Sequence, residues 1–157
     1  MREGRNAIWL AENGWDVVAT DFSDVAIAKA ETLAAHRDVI VDFRVEDASA
    51  VSTHETPYDL IVIAYLHVAP QFLDEVVDHA VAQTAADATL VIVGHHVDNP
   101  SRGHGGPSDP AVLYDPATIA SRLEGLTIVT ATDVERSVPT DDGEATAVDA
   151  LVVARLT

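Results

Sequence analysis

The sequence predicts an α/β fold: a Rossmann-like, doubly wound and mostly parallel sheet with an antiparallel last strand. Three observations carry this reading. Short apolar runs alternate along the chain with segments of helical periodicity, the pattern of a parallel sheet covered by helices. Several of those runs are almost continuously apolar, as expected of strands buried on both faces. The ending differs, because two strand-like runs follow each other with no helix between them, so the last pair must run antiparallel or lie apart.

The elements follow in order. Arg5 to Asn13 reads as a helix, with Ala7, Ile8, Leu10 and Ala11 as its apolar stripe and Gly14 as its stop. "DVVAT", Asp16 to Thr20, is a short buried strand ending at Asp21. Ser23 is placed to cap a helix from Asp24 to His36, with Ile27, Ala30 and Leu33 or Ala34 on one side. Val39 to Val45 is β-branched and reads as a strand, followed by a linker from Glu46 to Pro57. Tyr58 to Leu66 is a further buried strand. Pro70 suits the first position of a helix that runs through Ala85, with Phe72, Leu73, Val76, Val77, Ala80 and Val81 at helical spacing. Ala88 to His96 is again a strand. Asn99 to Asp115 is a 17-residue loop rich in glycine and proline, long enough to suggest a lid or a binding loop. Asp115 and Pro116 open a helix that ends at Gly125. Two strands, Leu126 to Val134 and Thr146 to Leu156, close the chain across "PTDDGEA".

Composition bounds the function. The chain has 157 residues, a length expected for one domain over 1–157, and 48% of them are hydrophobic. Asp and Glu number 26 against 9 Lys and Arg, a net charge of −17. Nucleic-acid binding draws on basic groups that neutralise phosphates, so nucleic acid is not the expected partner, and neither is an anionic membrane surface. A small neutral or cationic ligand fits better. No apolar run approaches the ~18 residues of a membrane span. The first residues lack a basic region followed by an apolar core, so the expected location is the cytoplasm. The chain has no cysteine, which excludes disulfides, thiolate metal sites and a cysteine nucleophile.

In open α/β sheets ligands sit at the carboxyl ends of the strands, so the residues there are the candidates. They are Asp21-Phe22, Glu46-Asp47-Ala48, Ala64-Tyr65-Leu66-His67 and Gly94-His95-His96. Asp21 stands 17 residues after Gly4. A carboxylate about 20 residues beyond a glycine turn can accept both ribose hydroxyls of a nucleoside. A helix cap or a solvated loop aspartate has the same signature. Phe22 could stack on a purine or pack in the core. Asp47 could accept from an exocyclic amine or serve its own loop. The N–H groups opening the Arg5 helix favour an anion, although one glycine falls short of the full G-x-G-x-x-G pattern. Of the seven histidines, His36, His54 and His79 read as surface residues. His95, His96, His104 and His67 could gather near one mouth. Neighbours on a strand point to opposite faces, and no recurrent ligand spacing is present, so no metal site is assigned. One of these histidines is better suited to act on a substrate as a base or a hydrogen-bond donor than to bind a metal, while each taken singly reads first as an ordinary, partly buried histidine.

With these residues in place, the chain resembles the class I S-adenosylmethionine-dependent methyltransferases. Within them it is similar to the small bacterial group around the tellurite-resistance methyltransferase. "EGRNAIWLAENGWDVVATDFSDVAIAKA" carries most of the likeness. "VEDA", "YDLIVIAYLHV", "LVIVGHH", "GHGGPSDPAVLYDP" and "TAVDALVVARL" follow in the family's order. The resemblance implies S-adenosylmethionine as cofactor and methyl transfer to a small-molecule acceptor. It places Gly4 and Arg5 under the methionine part, Asp21 on the ribose and Phe22 beside the adenine. Asp47 and Ala48 would contact the adenine edge, Ala64 and Tyr65 would sit near the methyl-bearing sulfur, and His67, His95 and His96 would face the substrate. No histidine is given a firm role.

The resemblance also implies a departure. The family has a central strand and a D-x-G-x-G loop just before Glu3, and Arg2 stands where the second glycine would. Three explanations compete: an N-terminally incomplete chain, a gap filled by re-pairing or by a strand from a second copy in a homodimer, and a non-catalytic methyltransferase-like binding domain. A nicotinamide-dependent oxidoreductase is the remaining alternative, and the paired final strands are foreign to the plain dinucleotide fold.

Overall fold

The computed structural model describes residues 4–50 and 56–156. The expectations for Arg2 and His54 lie outside the described residues. The chain divides into two compact units, 1–53 and 54–157.

The first unit holds α1 (Arg5–Glu12), β1 (Val18–Asp21), α2 (Asp24–His36) and β2 (Asp42–Val45). Strands β1 and β2 pair in parallel, with Asp21 opposite Val45. Ala7, Ile8, Val17, Ile27, Ala30 and Ala34 are buried. The Ser23 hydroxyl accepts the Ala26 N–H at 3.2 Å, the cap expected from its position. The strand expected from Val39 begins only at Asp42. Asp38 takes a positive φ of 55°, and the Val39 N–H returns to the Ala34 carbonyl. These residues close the helix, so Ile40 stands 94% exposed rather than in the ladder.

The second unit holds β3 (Tyr58–Ala64), α3 (Pro70–Ala82), β4 (Thr84–His95), α4 (Asn99–Arg102), a 3₁₀ turn at Pro110–Val112, α5 (Pro116–Ser121), β5 (Leu126–Thr140) and β6 (Gly143–Leu156). Its sheet has the order β3-β4-β6-β5. The β3–β4 pair is parallel, and β6 lies antiparallel between β4 and β5. The last strand is thus inserted between β4 and β5, antiparallel to both, which fits the expected antiparallel last strand. The closing hairpin is longer than expected, with Thr140 pairing with Gly143. Pro139 is tolerated because β5 is an edge strand. Leu90, Ile92, Val148, Val152 and Ala154 are at most 1% exposed and form the centre of this core. Helix α3 adds Leu73, Val76, Val77 and Ala80.

The 17-residue loop carries structure of its own. Asn99 is fully buried; its amide donates to the Gly105 carbonyl at 2.7 Å, and its oxygen accepts the Val148 N–H at 2.8 Å. At its far end Tyr114 forms an isolated bridge with His96 and donates its hydroxyl to the Leu66 carbonyl. A loop tied to β6 at one end and to the end of β3 at the other is an ordered cover for the strand ends of this unit.

Candidate active site

In the first unit the expected cofactor residues hold their own turns. Gly4 precedes α1 with φ 70°, and Arg5 opens the helix exposed. Asp21 ends β1, and its Oδ1 accepts the Ser23 N–H at 2.9 Å. Phe22 is 73% exposed. Asp47 Oδ1 accepts from the Ser49 N–H at 2.9 Å and from the Ser49 hydroxyl at 2.8 Å, which holds its carboxyl below the usual range. Ala48 lies inside the same turn, closed by the Ala50 N–H on the Asp47 carbonyl. A cavity of about 60 Å³ beside Asp21 is lined by Gly4, Thr20, Ile27, Ala30 and Phe43 among others. It is small beside the ~300 Å³ or more of ordinary ligand pockets. It is too small to enclose a nucleoside.

In the second unit the strand ends converge on one buried carboxylate. Ala64 ends β3, and Tyr65 follows with φ 55°, a left-handed conformation rare for an aromatic residue. The Tyr65 N–H donates to the Val93 carbonyl at 2.7 Å, and its hydroxyl donates to Asp149 Oδ2 at 2.7 Å. Asp149 sits on β6 at 1% exposure. The same Oδ2 accepts from Arg136 Nε at 2.8 Å, and the Arg136 guanidinium stands 5.6 Å from the Tyr65 ring centre. Both placements follow from register. Val134 and His95 are the two cross-strand partners of Asp149, and Arg136 lies two residues beyond Val134 on the same face. Burial and the Asp149 hydrogen bond push the Tyr65 hydroxyl above its ordinary range, whereas the Asp149 hydrogen bond raises Arg136 further.

The histidines divide as strand periodicity requires. His95 turns to the carboxylate side, with Nδ1 3.2 Å from Asp149 Oδ1. Burial lowers its pKa more than Asp149 raises it, so it is neutral at pH 7. His96 turns the other way. Its Nδ1 accepts the Asp98 N–H at 3.0 Å, so the 3.8 Å approach of Asp98 Oδ2 to the same nitrogen is not a charged pair. His67 donates from Nδ1 to the Val112 carbonyl at 2.9 Å and stacks on His95 with ring centres 5.3 Å apart. His67 and His95 therefore share one cluster with Tyr65, while His96 does not join it. His104 is exposed on the loop. Among the described residues, no group of three or more His, Asp or Glu could hold a metal ion. No helix among them is long and apolar enough to cross a membrane.

Sequence reasoning did not single out Asp149, Arg136, Tyr114 or Asn99. A lone aspartate inside the apolar run "AVDALVVA" is the one signal that could have exposed the first. A cavity of about 330 Å³ is lined by Asp78, Val81, Ser121, Arg122, Leu123 and Glu124. None of these is a strand-end residue, and the Asp149 cluster has the stronger chemical claim.

Residues 2–89, more than half of the chain, match the family described as "Methyltransferase domain". Among solved structures the fold is similar to TehB from Haemophilus influenzae, with a TM-score of 0.77 at 15% identity over 99% of this chain and 55% of that one. The chain thus spans about half the length of TehB. It is also similar to the N-methyltransferase NodS from Bradyrhizobium japonicum WM9 (TM-score 0.70, 21% identity, 98% of this chain and 80% of that one). A SAM-dependent methyltransferase from Methanosarcina mazei gives a TM-score of 0.72 at 18% identity over 98% of this chain and 87% of that one. No curated protein matches the sequence. The matched segment, residues 2–89, covers more than half of the chain, and the fold is similar to that of methyltransferase structures: the chain belongs to the methyltransferase-domain family.

Proposed function

We propose that the chain binds S-adenosylmethionine and transfers its methyl group to a small-molecule acceptor. The observation that carries this reading is the family match across residues 2–89, with an acidic residue, Asp21, closing β1. NodS, similar in fold, has been crystallised in complex with S-adenosyl-L-homocysteine.

The first unit supplies groups suited to the nucleoside. Asp21 is oriented by the Ser23 N–H and accepts the ribose hydroxyls. Phe22 offers an open ring for the adenine to stack on. Asp47 and Ala48 meet the adenine edge, and Gly4 with Arg5 at the start of α1 meets the carboxylate of the methionine part. Ala64 and Tyr65 are the residues that the family resemblance puts toward the methyl-bearing end, and the Tyr65 N–H is held by the Val93 carbonyl. The bound cofactor supplies an electrophilic methyl group on a sulfonium. The protein's share is to position the acceptor and exclude water.

The test is titration calorimetry with S-adenosylhomocysteine on the chain and on Asp21→Ala. The reading expects the variant to bind more weakly while remaining folded. Equal affinity removes Asp21 from the cofactor site.

A further inference from the structure

His95 and Asp149 carry a feature that the cofactor site does not use. His95 Nδ1 and Asp149 Oδ1 are both buried, both without a hydrogen-bond partner elsewhere among the described residues, and 3.2 Å apart. Among the described residues, each of these two atoms has the other as its nearest polar partner. A proton on Nδ1 lies between the two atoms, and it leaves the lone pair on Nε2. Catalytic hydrogen bonds are often poorly aligned before substrate binds. Tyr65 and Arg136 both bind Oδ2, so they fix the carboxylate while leaving Oδ1 for the imidazole. The ring is fixed from its other side too. Gly106, at φ 81°, approaches so closely that a Cβ there would stand 2.6 Å from His95 Cδ2. The Tyr114 N–H donates to the His95 carbonyl at 2.9 Å. The side chain still keeps 14% of its surface open.

We propose that His95 Nε2 takes the proton of the methyl acceptor, with Asp149 as a positioning residue, so that the acceptor is a protic nucleophile bearing an O–H, N–H or S–H group. This rests on the methyl-transfer reading above. The heteroatom forms its bond to the methyl carbon as the carbon–sulfur bond breaks, and that electron pair goes to sulfur. The acceptor's proton goes to Nε2, and the resulting imidazolium faces the Asp149 carboxylate. An orienting carboxylate on one nitrogen and a free lone pair on the other is the general arrangement of an activated base. The charged and titratable groups facing His95 are Asp149 from β6, Arg136 from β5, and Tyr65 and His67 from the segment after β3. Asp149 favours the protonated ring, whereas burial, His67 and Arg136 disfavour it, so His95 is neutral and ready to accept a proton at neutral pH.

The test uses the full chain. Histidine-selective ¹⁵N NMR across pH reads the tautomer of His95, assigned by its loss in His95→Gln. The expected result is an Nδ1–H ring that titrates below 6.5, with the tautomer preference lost in Asp149→Asn. S-adenosylhomocysteine formation is then followed with catechol and benzenethiol as protic probes and with pyridine and dimethyl sulfide as proton-free ones. The protic probes should be methylated, at a rate that rises with pH through the titration of His95. His95→Gln should lower kcat by roughly 100-fold or more without weakening S-adenosylhomocysteine binding. Asp149→Asn should lower kcat more than it raises KM. An Nε2–H ring, a wild-type rate in His95→Gln, or turnover of no probe or of the proton-free probes alone overturns this inference while cofactor binding stands. Absence of S-adenosylhomocysteine binding by the folded chain overturns the methyl-transfer reading itself, and this inference with it.

Discussion

His95 and Asp149 are direct partners across the antiparallel β4–β6 pair, and their side chains meet at 3.2 Å in a place closed to solvent on the carboxylate side. Asp149 also binds Tyr65 and Arg136, so one carboxylate ties together β4, β5, β6 and the residue after β3. Asp149→Ala leaves the Tyr65 hydroxyl and His95 Nδ1 without that acceptor. We expect a loss of about 3 kcal/mol in urea unfolding, in the range seen when one partner of a buried polar or charged pair is removed. A loss below about 1 kcal/mol would show that water replaces the carboxylate readily.

The pH dependence of stability follows from His95. Burial puts its folded pKa below the ordinary 6.5, so between the two values the folded state holds fewer protons than the unfolded state. Its contribution to stability is therefore present above about 6.5 and is lost as pH falls through that point toward the folded value. Denaturant midpoints measured from pH 7.5 down to pH 5 should fall, and His95→Gln should flatten part of that fall. Parallel curves for the two proteins would contradict the assignment.

Gly106 is set by two constraints at once, a φ of 81° and the His95 ring beneath it. Gly106→Ala should destabilise the fold by about 1 kcal/mol or more through backbone strain. It should also displace the His95 ring, visible as a shift of its NMR signals. Gly105→Ala is the control, because nothing lies within 4 Å of a Cβ placed there although its φ is also positive. The ring signals should move only in the first variant.

Asp21→Ala should weaken S-adenosylhomocysteine binding by one or two charge-assisted hydrogen bonds, roughly 1.5–3 kcal/mol each. It also removes the acceptor of the Ser23 N–H. Asp21→Asn keeps a hydrogen-bonding side chain for the turn and loses the charge. Weakened binding in both variants therefore assigns the effect to the carboxylate.

Much of this architecture was legible before any coordinates. Helix α2 was predicted with its observed bounds, because Ser23 supplies a strong cap and Ile27, Ala30 and Ala34 form one buried stripe. The opposite facing of His95 and His96 followed from strand periodicity. Boundaries set by local backbone geometry were harder to read: β2 starts late because Asp38 and Val39 finish the preceding helix. The closing hairpin reaches Thr140 and Gly143 because an edge strand accommodates Pro139, which reads as a breaker in isolation. The centre of the candidate site was the least legible part. Tyr65 and Asp149 are 84 residues apart and meet only through the sheet order. The positive φ of Tyr65 has no signature in the sequence, since glycine would ordinarily mark such a position.

The central claim is that this chain carries a functional S-adenosylmethionine site. Titration calorimetry of S-adenosylhomocysteine against the 157-residue chain, with its fold verified by circular dichroism, tests that claim most directly. The account predicts saturable binding at micromolar strength that weakens in Asp21→Ala. A folded chain that releases no binding heat and shows no shift in thermal midpoint with the ligand would contradict it.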